Sequence, residues 1–204
     1  MELKTVNGRI SYIEATEAPL SADVGIIRAG DITWIFDVGN GEDIAEKIGG
    51  IAGEKYAVIS HFHADHTSNL EKISYTRLYG GGFTCKRLGS GIPVEHDLYV
   101  GDVHLFPIPS THSKGCIGLE LGDCAFLGDS TYAANIEGKA AYNAGLLQET
   151  VKTLQGLRAE KFLLSHSKPF VQPRDRVIAK LETVYSYRKK NKPYIFIEEI
   201  TESD

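Results

Sequence analysis

Apolar residues in the first third of the chain come in short runs separated by turn residues: Ile10 to Ala15, Val24 to Ala29, and Ile32 to Val38. Such runs read as strands in a meander. The period then changes. Ile44 and Ile48 stand one helical turn apart between acidic Glu42/Asp43 and Gly49-Gly50, which predicts a short helix with a glycine stop. Tyr56 to Ser60 predicts a buried strand, and further strands are expected at Thr76 to Tyr79, Leu98 to Pro107, Ile117 to Leu121, Cys124 to Leu127 and Lys161 to Leu164. Helical spacing links Leu146, Leu147, Val151 and Leu154. It links Val177, Ile178, Leu181, Val184 and Tyr185 behind a helix-starting Pro173. Tyr194 to Ile200 reads as a short terminal strand packing on its own sheet or on a partner. No linker, low-complexity stretch or repeat interrupts the pattern. The expectation is a single domain over residues 1–204, with two strand-rich halves and helices outside.

Composition narrows this picture in three ways. With 204 residues, 42% of them hydrophobic, the chain can bury a sizeable core. No apolar run approaches the roughly 20 residues that span a bilayer, and Met1-Glu2-Leu3-Lys4 does not open a signal peptide, so a cytoplasmic location without a membrane partner is expected. Cys85, Cys116 and Cys124 show no Cys-x-x-Cys spacing and read as reduced thiols. A formal charge of -5 gives no footprint for nucleic acid and favours a small-molecule substrate.

The chemistry concentrates in His61-Phe62-His63-Ala64-Asp65-His66, directly after the strand at Tyr56 to Ser60. Alternate residues of an extended segment point the same way, so His61 and His63 can face one ion. Asp65 and His66, where the chain turns into a helix, face a neighbouring point. Three more candidates follow apolar runs: His112 after Pro109-Ser110-Thr111, Asp129 after Leu127-Gly128, and His166 after Leu163-Leu164-Ser165. Strand ends on one sheet edge deliver side chains to a common mouth. Five of the seven histidines are then accounted for; His96 and His104 lie in or beside a strand pattern and read as surface or core residues.

As an ordered set, these residues resemble the metallo-β-lactamase superfamily over nearly the whole chain. The resemblance implies an α/β fold, a four-layer αβ/βα sandwich with metals at one edge of the two sheets. It implies that His61, His63 and His112 hold a first ion, that Asp65, His66 and His166 hold a second, and that Asp129 bridges them. Asp37, in Phe36-Asp37-Val38-Gly39, resembles the acid that supports ligand histidines from behind.

Imidazole nitrogens and carboxylate oxygens suit two zinc ions, with iron or manganese as alternatives at the oxygen-richer second position. Two adjacent cations supply hydroxide as nucleophile and polarise the oxygen under attack, so hydrolysis is the expected reaction.

The resemblance also sorts substrates. Exported β-lactamases usually carry cysteine where this chain has Asp129. Glyoxalase-type enzymes have a long helical addition after the last ligand, nucleic-acid-processing relatives have large inserts, and flavin-linked di-iron enzymes show Glu in place of His63. The expectation is a hydrolase of a small ester, thioester or lactone, with a phosphodiesterase or small nuclease as the alternative and a non-catalytic metal-dependent sensor as a third reading. Asp65 and Tyr132 are the candidate catalytic residues. Tyr132 is similar to a lactonase tyrosine that binds the carbonyl oxygen, and packing is its competing role. Lys168 is a candidate for an anionic substrate group, with a solvated side chain as the alternative. Ser165-His166-Ser167 departs from relatives in which glycine flanks the histidine.

Overall fold

The structure, a computed structural model, describes residues 2–201. A seven-stranded sheet takes the order Leu3–Thr5, Ile10–Ile13, Val24–Ala29, Ile32–Phe36, Glu54–Ile59, Arg77–Gly80, Ile92–Pro93. It is antiparallel as far as Ile32–Phe36 and parallel beyond. A six-stranded sheet follows as Leu98–Val100, Val103–Ile108, Cys116–Leu121, Cys124–Gly128, Lys161–Leu164, Val171–Pro173. Its one parallel pair joins Cys124–Gly128 to Lys161–Leu164.

Alternation along the strands explains the layers. Trp34, Phe36, Tyr56 and Val58 from the first sheet meet Leu119, Phe126 and Leu163 from the second in one core. Their neighbours Ile35, Ala57 and Ile59 point outward onto Ile44, Ala45 and Ile48 of the helix Glu42–Gly49. On the far side, Ala125, Leu127, Phe162 and Leu164 point onto Leu147, Val151 and Leu154 of the helix Ala144–Gly156, and onto Val177, Ile178 and Leu181 of Arg174–Ser186. The result is the helix–sheet–sheet–helix sandwich expected. It also explains why Cys124–Gly128 is buried at every position: a strand covered on both faces reads as a continuous apolar run. The sheets touch closely where Phe126 lies over Gly25, since a Cβ there would come within 2.4 Å of the Phe126 ring.

Strand direction places the chemistry. Ile32–Phe36 and Glu54–Ile59 run parallel, so Asp37 and His61 leave the first sheet at the same edge. Val103–Ile108 and Cys124–Gly128 are each antiparallel to Cys116–Leu121 and therefore share a direction, and Lys161–Leu164 follows it. Their C-terminal ends lead to His112, Asp129 and His166. A backbone bond from Ile117 N to Ser60 O, 3.0 Å, ties the two sheets together at this edge.

The expected terminal strand is shorter than its pattern suggested. Tyr194–Phe196 is a strand, but Ile197–Thr201 turns into a helix, so Tyr194 to Ile200 is not one extended segment. The strand pairs with Lys139–Asn143, which in turn pairs with Ala134–Ile136, in a three-stranded sheet that the periodicity did not reveal. The helix Gly82–Leu88 also escaped, since only Thr84 and Cys85 on it are buried and it opens on glycine. The final residues 202–204 lie outside the described part. Among the described residues no helix is long and apolar enough to cross a membrane.

Candidate metal centre

The loop after Glu54–Ile59 places His61 at the sheet edge and His63 at the start of the short helix Ala64–Thr67, which carries Asp65 and His66. The seven candidate ligands form two groups: His61, His63 and His112 in one, Asp65, His66, Asp129 and His166 in the other. Within each group, one ligand atom per residue lies within 4.8 Å of the rest. His112 Nε2 stands 3.3 Å from His63 Nδ1. In the second group, Asp65 Oδ2 is 3.0 Å from His166 Nε2 and 3.4 Å from His66 Nε2. Asp129 lies between the two. Its Oδ2 is 3.4 Å from His112 Nε2 and 3.5 Å from His66 Nε2.

Contacts behind the rings decide which nitrogen each presents. His66 Nδ1 is 2.7 Å from Asp37 Oδ2, leaving Nε2 toward the carboxylates. Asp37 also accepts the Ser60 backbone N–H and the Ser60 hydroxyl, both at 2.8 Å. His61 Nδ1 lies 3.0 Å from that same hydroxyl, and His112 Nδ1 lies 3.3 Å from the Ala133 carbonyl oxygen. Asp37 is fully buried and adopts φ 58°, and the Gly128 opposite has φ 54°. A Cβ on Gly128 would come within 2.6 Å of Ser60, so glycine is what lets the second sheet close on this support.

Charge follows from burial and proximity. Burial, reinforced by the other histidines, pushes His61 far below the ordinary imidazole range, and burial followed by His112 lowers His63. Both offer neutral nitrogens. Burial also opposes charge on His66, but Asp37 and Asp129 override it and push the group up to about 10. Burial would raise Asp65, yet the His166 hydrogen bond and the nearby His66 hold it below the usual carboxylate value.

The donor set fits metal ions on a separate ground. His61 Nε2, His66 Nε2 and Asp129 Oδ1 are buried with no hydrogen-bond partner among the described residues. Such atoms are costly unless something takes their lone pairs, and all three belong to the two groups.

His166 adopts φ 60° and is held from three sides. Asp23 Oδ2 accepts its N–H at 2.9 Å, Asp23 N–H donates to Ser165 Oγ at 3.0 Å, and Tyr132 donates its hydroxyl to the Ser165 carbonyl at 2.6 Å. Tyr132 therefore sits beside the site, its ring 6.4 Å from that of His112, but with its proton committed to the backbone. Through this bond the hydroxyl ties the Ser165–His166 segment to the loop that follows Asp129. Asp23 and Ser60 carry no signal in the sequence that would single them out. Nothing in Ser21-Ala22-Asp23 separates it from an ordinary turn, and Ser60 reads only as the end of a strand.

His104 is buried between Glu120 and Asp97, 3.0 Å from each, and His96 is exposed; neither joins the two groups. All three cysteines are free. A concavity of about 720 Å³ runs past His96, His104 and Lys152 and includes none of the seven ligands.

No family model and no curated protein matches the sequence. Solved structures do match in shape. The Rm3 metallo-beta-lactamase superposes with a TM-score of 0.69 at 14% identity, covering 92% of this chain and 93% of that one. A metallo-beta-lactamase from Hirschia baltica gives 0.65 at 12%, covering 90% and 97%. A mutant flavo di-iron protein from Thermotoga maritima gives 0.60 at 12%, covering 89% of this chain and 55% of that one. The two sheets and their flanking helices are therefore those of the metallo-β-lactamase fold.

Proposed function

We propose that this chain is a dinuclear metal-dependent hydrolase of a small carbonyl ester, thioester or lactone. The carrying observation is the paired ligand set, seven donors in two adjacent groups with Asp129 between them. His61, His63 and His112 would hold one ion, Asp65, His66 and His166 the other, with Asp129 shared. Zinc suits the nitrogen-rich first group, and zinc, iron or manganese the second. Bound there, two divalent cations supply an activated water and an electrophile.

The protein's own groups do the rest. Asp37 and Ala133 O fix ring orientations, so the donors are in place before an ion arrives. Asp65, held as a carboxylate and only partly exposed, is the group placed to take a proton as water adds to the carbonyl carbon. Tyr132 positions the Ser165–His166 segment through its hydroxyl. Overall charge of -5 weighs against a polyanionic substrate. The complete ligand set weighs against a sensor.

The test is a metal-defined activity screen over matched esters, thioesters, lactones and phosphodiesters, using chelated and reloaded protein. Metal-dependent carbonyl hydrolysis is the expected result. Efficient phosphodiester cleavage with negligible carbonyl hydrolysis overturns the substrate class and promotes the nuclease reading.

A further inference from the structure

Beside the metal centre, beyond Tyr132 and Ser167, lies a cavity of about 400 Å³. Its floor is apolar, with Leu164, Val177 and Leu181. Its rim carries Lys168, two residues past His166, and Arg176 and Lys180, one turn apart on the helix Arg174–Ser186. Residues at i and i+4 share a helix face, so the two cations stand side by side over the buried Val177 and Leu181. Among the described residues no aspartate or glutamate lines this cavity, although acids outnumber bases in the chain, 27 to 22. The neighbouring polar groups are already engaged: Tyr142 donates to Thr131 O, Tyr132 to Ser165 O, and Gln172 to Ser167 Oγ.

We propose that this cavity is an anion subsite, which receives a carboxylate or phosphate on the substrate while the carbonyl group meets the metal ions. The proposal rests on the hydrolase reading above and names its substrate class: a small ester, thioester or lactone with an anionic tail on a short apolar linker. Arg176 and Lys180, with no acid lining the cavity, attract an anion and gain more from it than dispersed surface lysines do, and Lys168, which also faces Glu14 in a neighbouring cleft, adds to them. Arg176 adds a planar fork that grips an oxyanion at two points. The apolar floor accommodates the linker, and the shared wall of Tyr132 and Ser167 sets the spacing from the His166 loop. Net negative charge elsewhere repels anions that do not reach this cavity.

The experiment uses metal-loaded protein and two chromogenic esters of equal chain length, 4-nitrophenyl hemiglutarate and 4-nitrophenyl pentanoate. The double variant R176A/K180A is expected to lose at least about ten-fold more kcat/KM on the anionic ester than on the neutral one. The charge-keeping swap R176K/K180R is expected to retain most of the preference. A second arm measures glutarate and inorganic phosphate binding by calorimetry to the parent and R176A/K180A, with at least about ten-fold weakening expected in the variant; the anion bound more tightly by the parent identifies the tail. Equal losses on both esters, or unaltered anion affinity, overturn the subsite. If the parent hydrolyses neither ester, the carbonyl-hydrolase reading fails instead, and the binding arm alone decides the subsite.

Discussion

Asp37 illustrates how a single side chain organises this centre. Fully buried, it accepts three hydrogen bonds, two from Ser60 and one from His66. Asp37→Ala would take from His66 its nearest buried carboxylate, at 2.7 Å, leaving Asp129 and Asp65 at 3.5 and 3.4 Å, and breaking such a buried pair costs up to about 3–5 kcal/mol. Urea denaturation of the metal-free variant should show a drop of that order; a loss under about 1 kcal/mol would mean that the pair is unimportant. Tyr132→Phe should behave differently. Its hydroxyl donates to Ser165 O, so the expected cost is about 0.5–1.5 kcal/mol of stability and a minor fall in turnover. A turnover loss equivalent to about 2.7–4 kcal/mol would restore it as an oxyanion donor. Burial raises the Cys116 and Cys124 thiols to about 12, which leaves almost no thiolate at pH 8. Both should resist a thiol reagent in the native state and react fully in denaturant. At this scale the candidate ligands were legible because six consecutive residues, His61 to His66, carry four of the seven. Asp23, by contrast, acts through a backbone contact 143 residues away, which no local pattern encodes.

Strands and helices were legible in proportion to how much of each is buried. Cys124–Gly128 and Lys161–Leu164 sit between a core and a helix layer, so their apolar runs are long and unbroken. Lys139–Asn143 is exposed at its first two positions, and Ala134–Ile136 is only three residues long. Neither gives a period to read. The close contact of the two sheets makes its own prediction. Gly25→Ala would drive a methyl into the Phe126 ring, and overpacking of this kind costs about 1–3 kcal/mol. Gly8→Ala, with no atom within 4 Å of the added carbon, is the matched control. Denaturation midpoints should fall for the first substitution and barely move for the second; equal shifts would contradict the packing described between the sheets.

At the scale of the whole molecule, function depends on where strand ends arrive. His61, His112, Asp129 and His166 come from strands that share one edge only after two sheets have stacked, and the order of motifs along the chain was enough to expect that edge. The cavity of Lys168, Arg176 and Lys180 was not foreseeable as a unit, since a loop lysine and two helix residues look solvated until the fold brings them together. Of the three, only Lys168 has a place in the sequence that suggests a role, two residues after a candidate ligand. The division of the centre into two ion positions is the claim on which the proposed chemistry depends. Elemental analysis of reloaded, desalted protein, run in parallel on the parent, His112→Ala and His166→Ala, tests it most directly. Two ions per parent chain and close to one in each variant is the expected result; at most one in the parent, or two in both variants, would contradict it.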